Sequence, residues 1–352
     1  MTQKTLVFVT GASGFLGSVV VHELLQAGYA VRASARGAKV PLLQQAFAQY
    51  PQFEAVEIAD LRTADYTEAF QGVNAIIHTA APVAGRVGFD SELAFNSAID
   101  GSLRILRDAS KAGIKKVVVT GSIVTFPNGS YGSNDWVGVT KEEAVKGSLF
   151  DIYIAEKKFG EQAVLEYAEQ NPDMDITIFC PTWIFGPLSP GFESIVPSPE
   201  GAFAAFSTNG FVYQLLRSDN KNYHYFPGSI DVRDVARIHI TGLTAPTPNG
   251  SRPRRVPIVS PYQTDFREAI HIIHDERPQL RERLAHPDTV PRWTTYKCDV
   301  DLDALEKYFG YPLSAFKTWR ETILDGVDRF IEIENYWKGK GFEFEVPVEP
   351  PV

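Results

Sequence analysis

The chain has 352 residues, 44% hydrophobic and 22% charged, a balance that suits a globular protein with a sizeable core and excludes collagen-like, coiled-coil and disordered classes. Its 34 Lys and Arg against 43 Asp and Glu leave a formal charge of −9, and a net negative field repels phosphate backbones, so nucleic acid is not an expected partner. Cys180 and Cys298 are too few for a disulfide scaffold and no Cys/His cluster has metal-ligand spacing, which points to a reducing, cytoplasmic setting; the absence of a long apolar run or of a signal-like start predicts neither a membrane span nor secretion.

Residues 6–9 form a short apolar run that ends in the turn Gly11-Ala12-Ser13-Gly14-Phe15-Leu16-Gly17, followed by helical spacing at Leu16, Val20, Leu24 and Leu25. The same alternation predicts strands over 30–35, 53–58, 73–77 and 117–120, separated by helices over 39–50, 66–70 and 91–111. Apolar strands joined by amphipathic helices imply a parallel sheet covered on both faces, a Rossmann-type, doubly wound α/β fold. A long helix is predicted over 151–170 and a sixth strand over 176–180, stopped by Pro181. Residues 183–228 are rich in Pro, Gly and aromatics and predict an irregular lobe with one helix near 201–216. Further helices are predicted over 231–243, 264–274 and 314–334, with a strand over 255–259. The expected organisation is a dinucleotide-binding domain over 1–182, to which 226–259 returns, a smaller and mostly helical substrate lobe over 183–225 and 260–340, and a tail over 341–352.

In the first strand–turn–helix, Gly11 permits the tight turn, Gly14 lets backbone approach a pyrophosphate, and Gly17 lets the helix lie close to the strand. Specificity is read at the end of the second strand, where an acid would bind a ribose 2′-hydroxyl and an arginine a 2′-phosphate. No Asp or Glu lies between Glu23 and Glu54, whereas Arg32, Arg36 and Lys39 do, which favours NADPH over NADH; solvated surface cations are the alternative. Asp60-Leu61, after the third strand, is placed to meet the adenine end, or Asp60 simply caps a turn.

Tyr153 and Lys157 stand one helical turn apart on one face. An ammonium stabilises a phenolate, and a tyrosine so placed donates a proton to a carbonyl oxygen as hydride reaches the carbon. Ser122 follows the fifth strand at its carboxyl end, the edge where open α/β sheets bind ligands, and its hydroxyl can bind the substrate oxygen.

With these motifs, together with His78-Thr79-Ala80-Ala81, Thr120-Gly121-Ser122 and Asp231-Val-Arg-Asp-Val-Ala236, the chain resembles the extended short-chain dehydrogenases/reductases. It is most similar to the dihydroflavonol reductase branch and to the yeast and fungal NADPH-dependent carbonyl reductases. The resemblance implies Ser122 as oxyanion partner, Tyr153 as general acid and Lys157 as the group that holds the nicotinamide ribose. It also implies cofactor contacts from Gly11, Ser13, Gly14, Phe15, Leu16, Gly17, Arg36, Lys39, Asp60, Leu61, Thr79, Ala80, Ala81, Pro181 and Trp183. Candidate substrate contacts are Val83, Ser122, Phe126, Trp183 and Tyr225, although aromatics in a small lobe also serve as core. Two departures stand out: Gly121 replaces the usual serine beside Ser122, and Asp151-Ile152 precedes the tyrosine where cinnamoyl-CoA reductases carry another signature. His78 is a candidate second base or a packed imidazole.

The expected partner is a small carbonyl compound, and the expected state a monomer or homodimer. A nucleotide-sugar epimerase or dehydratase would use the same Tyr and Lys but needs a basic cradle for a diphosphate, and residues 183–228 offer only Arg217 and Lys221. A non-catalytic NADP-sensing regulator is the alternative of another class.

Overall fold

The computed structural model describes residues 4–80, 91–246, 252–293 and 298–348. The expected contacts Ala81 and Val83 lie outside them.

The amino-terminal half alternates as its apolar spacing predicts. Strand β1 (Leu6–Thr10) leads into helix α1 (Phe15–Gln26), β2 (Ala30–Ala35) into α2 (Lys39–Ala46), and β3 (Phe53–Glu57) runs on through turns to β4 (Ala75–His78). Helix α3 (Ser91–Lys111), β5 (Lys116–Thr120), the short α4 (Lys141–Lys146), α5 (Leu149–Gln170) and β6 (Asp175–Pro181) follow. The strands are all parallel, and with β9 (Arg255–Ile258) they form a seven-stranded sheet in the order β3-β2-β1-β4-β5-β6-β9. The order reverses between β1 and β4, which opens a crevice at the carboxyl ends of those two strands. One face is covered by α1 among others, through Val20 and Leu24, and the opposite face by α3 and α5 through Ile105, Leu106, Val164 and Ala168. Each such side chain taken fully from water stabilises the fold by roughly 1.5–3 kcal/mol for a Val, Leu or Ile.

Beyond β6, a two-stranded parallel pair joins β7 (Trp183–Phe185) to β8 (Ser229–Asp231). Between them lie α6 (Pro199–Ala204) and α7 (Asn209–Tyr213), and after them α8 (Val232–Thr244), α9 (Phe266–Glu276), α10 (Asp303–Phe309) and α11 (Trp319–Gly339). Among the described residues, no helix is long and apolar enough to cross a membrane.

Several predicted elements are corrected. Residues 66–70 form turns, because Asp65 accepts hydrogen bonds from the Thr67 N–H at 2.9 Å and hydroxyl at 2.6 Å and draws the chain into an Asx turn. The single helix expected over 201–216 is broken at Ser207, whose φ of 53° lies in the left-handed region. Pro181 is the last residue of β6 rather than its stop, since the strand's edge bond passes on to Thr182, whose N–H donates to Ile258. The final helix starts at Trp319, where Thr318 and Glu321 form a reciprocal capping box, and not at Ser314.

Candidate active site

The glycine turn is built for close approach. Gly11 has φ 71°, and a Cβ there would stand 2.6 Å from Thr79 Oγ1 and 2.8 Å from Ala80 N; one on Gly17 would lie 2.1 Å from the Gly11 carbonyl oxygen. The end of β4 is thereby held against that of β1: Thr79 Oγ1 donates to the Thr10 carbonyl at 2.7 Å, and Ala80 N donates to Thr10 Oγ1 at 3.2 Å. Gly14 is exposed at the N-cap of α1, and the first turn of that helix holds no acidic residue, which leaves its positive dipole end suited to an anion. Ser13 and Leu16 are half-buried at this mouth, while Phe15 is buried beneath it.

Arg36 is exposed just after β2 and Lys39 opens α2, both beside the end of the second strand. Arg32 is elsewhere occupied. Its guanidinium bonds Glu54 at 2.8 Å and the carbonyls of Ala69 and Gln71 at 2.9 Å, so it does not share in a 2′-phosphate site. Arg62, which sequence reasoning missed, lies after β3: its Nη2 pairs with Asp60 at 2.8 Å, and Asp60 also accepts the Arg62 N–H. These bonds hold the Asp60 carboxyl below the usual range, and the Arg36 charge adds to the effect. Asp60 is thus a turn-capping carboxylate flanked by two arginines; the cue was the Asp-Leu-Arg run after the third strand. Leu61 lines a small cavity behind Lys157 that also holds His78, Ala80, Ser102 and Glu156.

Helix α5 carries the catalytic candidates on one face. Ser148 caps it, accepting from Asp151 N at 3.2 Å while Asp151 accepts from Ser148 N at 2.7 Å, which explains Asp151 as a capping residue. One turn on, the Tyr153 hydroxyl donates toward Ser122 Oγ at 3.4 Å, and Lys157 Nζ lies 6.0 Å from the Tyr153 ring centre. Ser122 is buried immediately beyond β5. Three candidates scattered in sequence therefore meet at the carboxyl edge of the sheet. His78 Nδ1 shares a hydrogen with Thr10 Oγ1 at 2.7 Å and Nε2 with Ser102 at 3.2 Å; burial, with the Lys157 charge, lowers its pKa to about 4, so the imidazole is neutral and packed between these two hydroxyls.

Aromatic residues surround the tyrosine. Phe150, 45% exposed, stacks 6.0 Å from Tyr153 and 6.1 Å from Trp183, and Trp183 packs at 4.6 Å against Phe226. Phe150 escaped the sequence reading, although it lies one turn before Tyr153 on the same helix. Phe126, expected in the pocket wall, is buried with the Arg255 guanidinium 3.5 Å from its ring centre. Tyr225 lines a cavity of about 260 Å³ with Gly228, Val259, Ser260, Tyr262 and Cys298. Val259, Cys298 and Val300 pack there against Ile123, the residue after Ser122.

The fold and this constellation are those of the extended short-chain dehydrogenases/reductases. Residues 7–208 match the model of the NAD dependent epimerase/dehydratase family, and the chain belongs to that family. It is 26% identical to an NADPH-dependent methylglyoxal reductase of Saccharomyces cerevisiae over 355 residues, 93% of this chain and 98% of the yeast protein. It is 36% identical to a dihydroflavonol 4-reductase of Hordeum vulgare over 233 residues, 61% of this chain and 62% of the plant protein. In structure, the yeast methylglyoxal/isovaleraldehyde reductase complexed with NADPH superposes with a TM-score of 0.77 at 24% identity, covering 94% of this chain and 99% of that one.

Proposed function

We propose that the protein reduces aldehydes and ketones to alcohols with NADPH, using Tyr153 as the proton donor. One observation carries the reading: at the carboxyl edge of the sheet the Tyr153 hydroxyl points at Ser122 Oγ, with Lys157 on the same helix face. The glycine turn suits the cofactor, because Gly11 and Gly17 let the turn pack tightly against Thr79, Ala80 and its own backbone while the α1 N-terminus beyond the exposed Gly14 has no acidic residue in its first turn. Gly11, Ser13, Gly14, Phe15, Leu16 and Gly17 would hold the pyrophosphate end, and Arg36, Lys39 and Arg62 the 2′-phosphate. Leu61, Thr79, Ala80, Pro181 and Trp183 would flank the rest. When bound, NADPH supplies hydride to the carbonyl carbon. Ser122 donates a hydrogen bond to the carbonyl oxygen, Tyr153 passes its proton to that oxygen, and the Lys157 ammonium offsets the negative charge left on the tyrosine.

The substrate class follows from the lining. Phe150, Trp183, Phe226 and Tyr225 offer apolar surface, while Arg217 is engaged with Asp219 at 2.8 Å and with the Val346 carbonyl at 2.9 Å. An uncharged or weakly polar carbonyl compound suits this better than a sugar diphosphate, in line with the methylglyoxal and dihydroflavonol reductases among the relatives. We assign 1–182 and 226–259 to cofactor binding and 183–225 with 260–340 to the substrate lobe. A cytoplasmic monomer or homodimer is the proposed state; the two buried cysteines, which form no disulfide, suit the reducing compartment.

NADPH oxidation over a panel of aryl and alkyl aldehydes and ketones tests the reading. Turnover with release of free cofactor is expected. Interconversion of a sugar nucleotide on retained cofactor would make the protein an epimerase, and tight NADPH binding without turnover of any substrate would make it a sensor.

A further inference from the structure

The reading above leaves unexplained a buried ion pair directly beneath Ser122. Glu161, two turns beyond Tyr153 on α5, is 4% exposed, and Arg255 on β9 is the largest fully buried side chain among the described residues. Glu161 Oε1 accepts the backbone N–H of Ser122 at 2.8 Å, and Oε2 accepts from Arg255 Nε at 3.0 Å and from Cys180 Sγ at 3.6 Å. The Thr125 hydroxyl lies 2.9 Å from the same Oε2 and 2.8 Å from the Ser122 carbonyl oxygen, and it accepts from Arg255 Nη2 at 2.6 Å. Burial holds the Glu161 pKa above the ordinary carboxylate value, and the donors around it, Arg255, Thr125 and the Ser122 N–H, offset part of that rise.

Arg255 does more than balance that charge. Its guanidinium is sandwiched between the rings of Phe126, at 3.5 Å, and Trp136, at 3.7 Å, and Nη1 donates to the Asp135 carbonyl at 2.7 Å. One side chain from the outermost strand of the sheet thus ties both ends of residues 122–136, the segment that begins with Ser122. The pair also explains Gly121: a Cβ there would stand 2.6 Å from Glu161 Oε1 and 2.7 Å from Cys180 Sγ, so a serine at this position would displace the carboxylate.

A buried ion pair is a poor device for stability alone, because desolvation consumes most of the attraction, so its value lies in orientation. We propose that Glu161 and Arg255 are positioning residues for the catalytic step: together they fix the Ser122 backbone, and with it the angle at which Ser122 Oγ meets Tyr153 and the substrate oxygen. The pair is argued to act through Ser122, so the proposal rests on the reading of Ser122 as the oxygen-binding group.

The test is a double-mutant cycle read in carbonyl reduction. Glu161→Gln keeps the size and replaces an acceptor by a donor. It should lower kcat by about ten- to a hundredfold while the NADPH Kd, followed by fluorescence, stays within about threefold. In a Ser122→Ala background the same change should cost less than about twofold, since the group it positions is gone. Losses that multiply in the double variant, or a wild-type kcat in Glu161→Gln, would overturn the proposal. Should Glu161→Gln not fold, Gly121→Ala, which pushes on the carboxylate from the opposite side, and Arg255→Lys take its place in the cycle. Amide exchange over residues 119–126 supplies a reading independent of turnover: it should rise in each variant, and unchanged protection would refute the proposal. If the wild-type protein reduced no carbonyl, the functional reading would fail and this exchange measurement would still decide whether the pair holds Ser122.

Discussion

Arg36 stands exposed beside the Asp60–Arg62 pair, where a 2′-phosphate would meet two guanidinium groups. Charge-assisted bonds of this kind contribute roughly 1.5–3 kcal/mol each. Arg36→Ala should therefore raise KM for NADPH about ten- to a hundredfold and leave NADH nearly unchanged; steady-state kinetics with both cofactors checks this, and an equal loss for both would mean that the residue serves the fold. Glu156, beside Lys157 on α5, makes a different prediction. It is fully buried, and neither carboxyl oxygen has a hydrogen-bond partner among the described residues, so burial raises its pKa from 4.5 to about 7. The folded state then binds this proton more tightly than the unfolded one, and stability is lost as pH rises from 4.5 through about 7. Glu156→Gln should remove most of that loss, up to roughly 3 kcal/mol at pH 8, and should change little below pH 4.5. Melting curves across pH would show it, and a constant difference between variant and wild type at every pH would contradict it.

The glycine turn and helix α5 place the chemistry, and each can be broken by one change. A methyl group on Gly17 would lie 2.1 Å from the Gly11 carbonyl oxygen, so Gly17→Ala must push α1 away from β1. Overpacking of this kind typically costs about 1–3 kcal/mol, and here it would also distort the proposed pyrophosphate cradle. Thermal melts and NADPH titration of Gly17→Ala should show lower stability together with cofactor affinity reduced at least tenfold; unaltered affinity would place the cofactor elsewhere. The turn was legible because strand, glycines and helical spacing follow one another within the first 25 residues, and α5 because Tyr153 and Lys157 sit on an amphipathic repeat. The expected helix over 66–70 was not legible as a turn, because its spacing is apolar enough while the Asp65 side chain redirects the backbone. The β7–β8 pair escaped notice for another reason: three-residue strands carry too few residues to show a period.

Across the molecule, the parallel sheet and its carboxyl edge could be read from local alternation, since each βα unit repeats the same short-range pattern. What joins distant segments could not. Arg255 read only as the start of a strand, yet it is buried against Glu161, Phe126 and Trp136, and that placement depends on β9 pairing with β6 across the sheet. Arg32's partners could not be read for the same reason, since Ala69 and Gln71 belong to a segment whose Tyr66 and Phe70 pack against Phe8 of β1. The pocket wall was legible only in part: Trp183 lies next to the tyrosine through Phe150, whereas Phe126 is core.

The central claim, that Tyr153 protonates the carbonyl oxygen while Ser122 and Lys157 serve it, is tested most directly by Tyr153→Phe. The substitution keeps the ring and removes only the hydroxyl that reaches Ser122. Measured with the best carbonyl substrate of the panel, kcat should fall by about a hundred- to ten-thousandfold while the NADPH Kd stays within about threefold of wild type. Reduction at a rate near that of the wild-type protein would contradict the account.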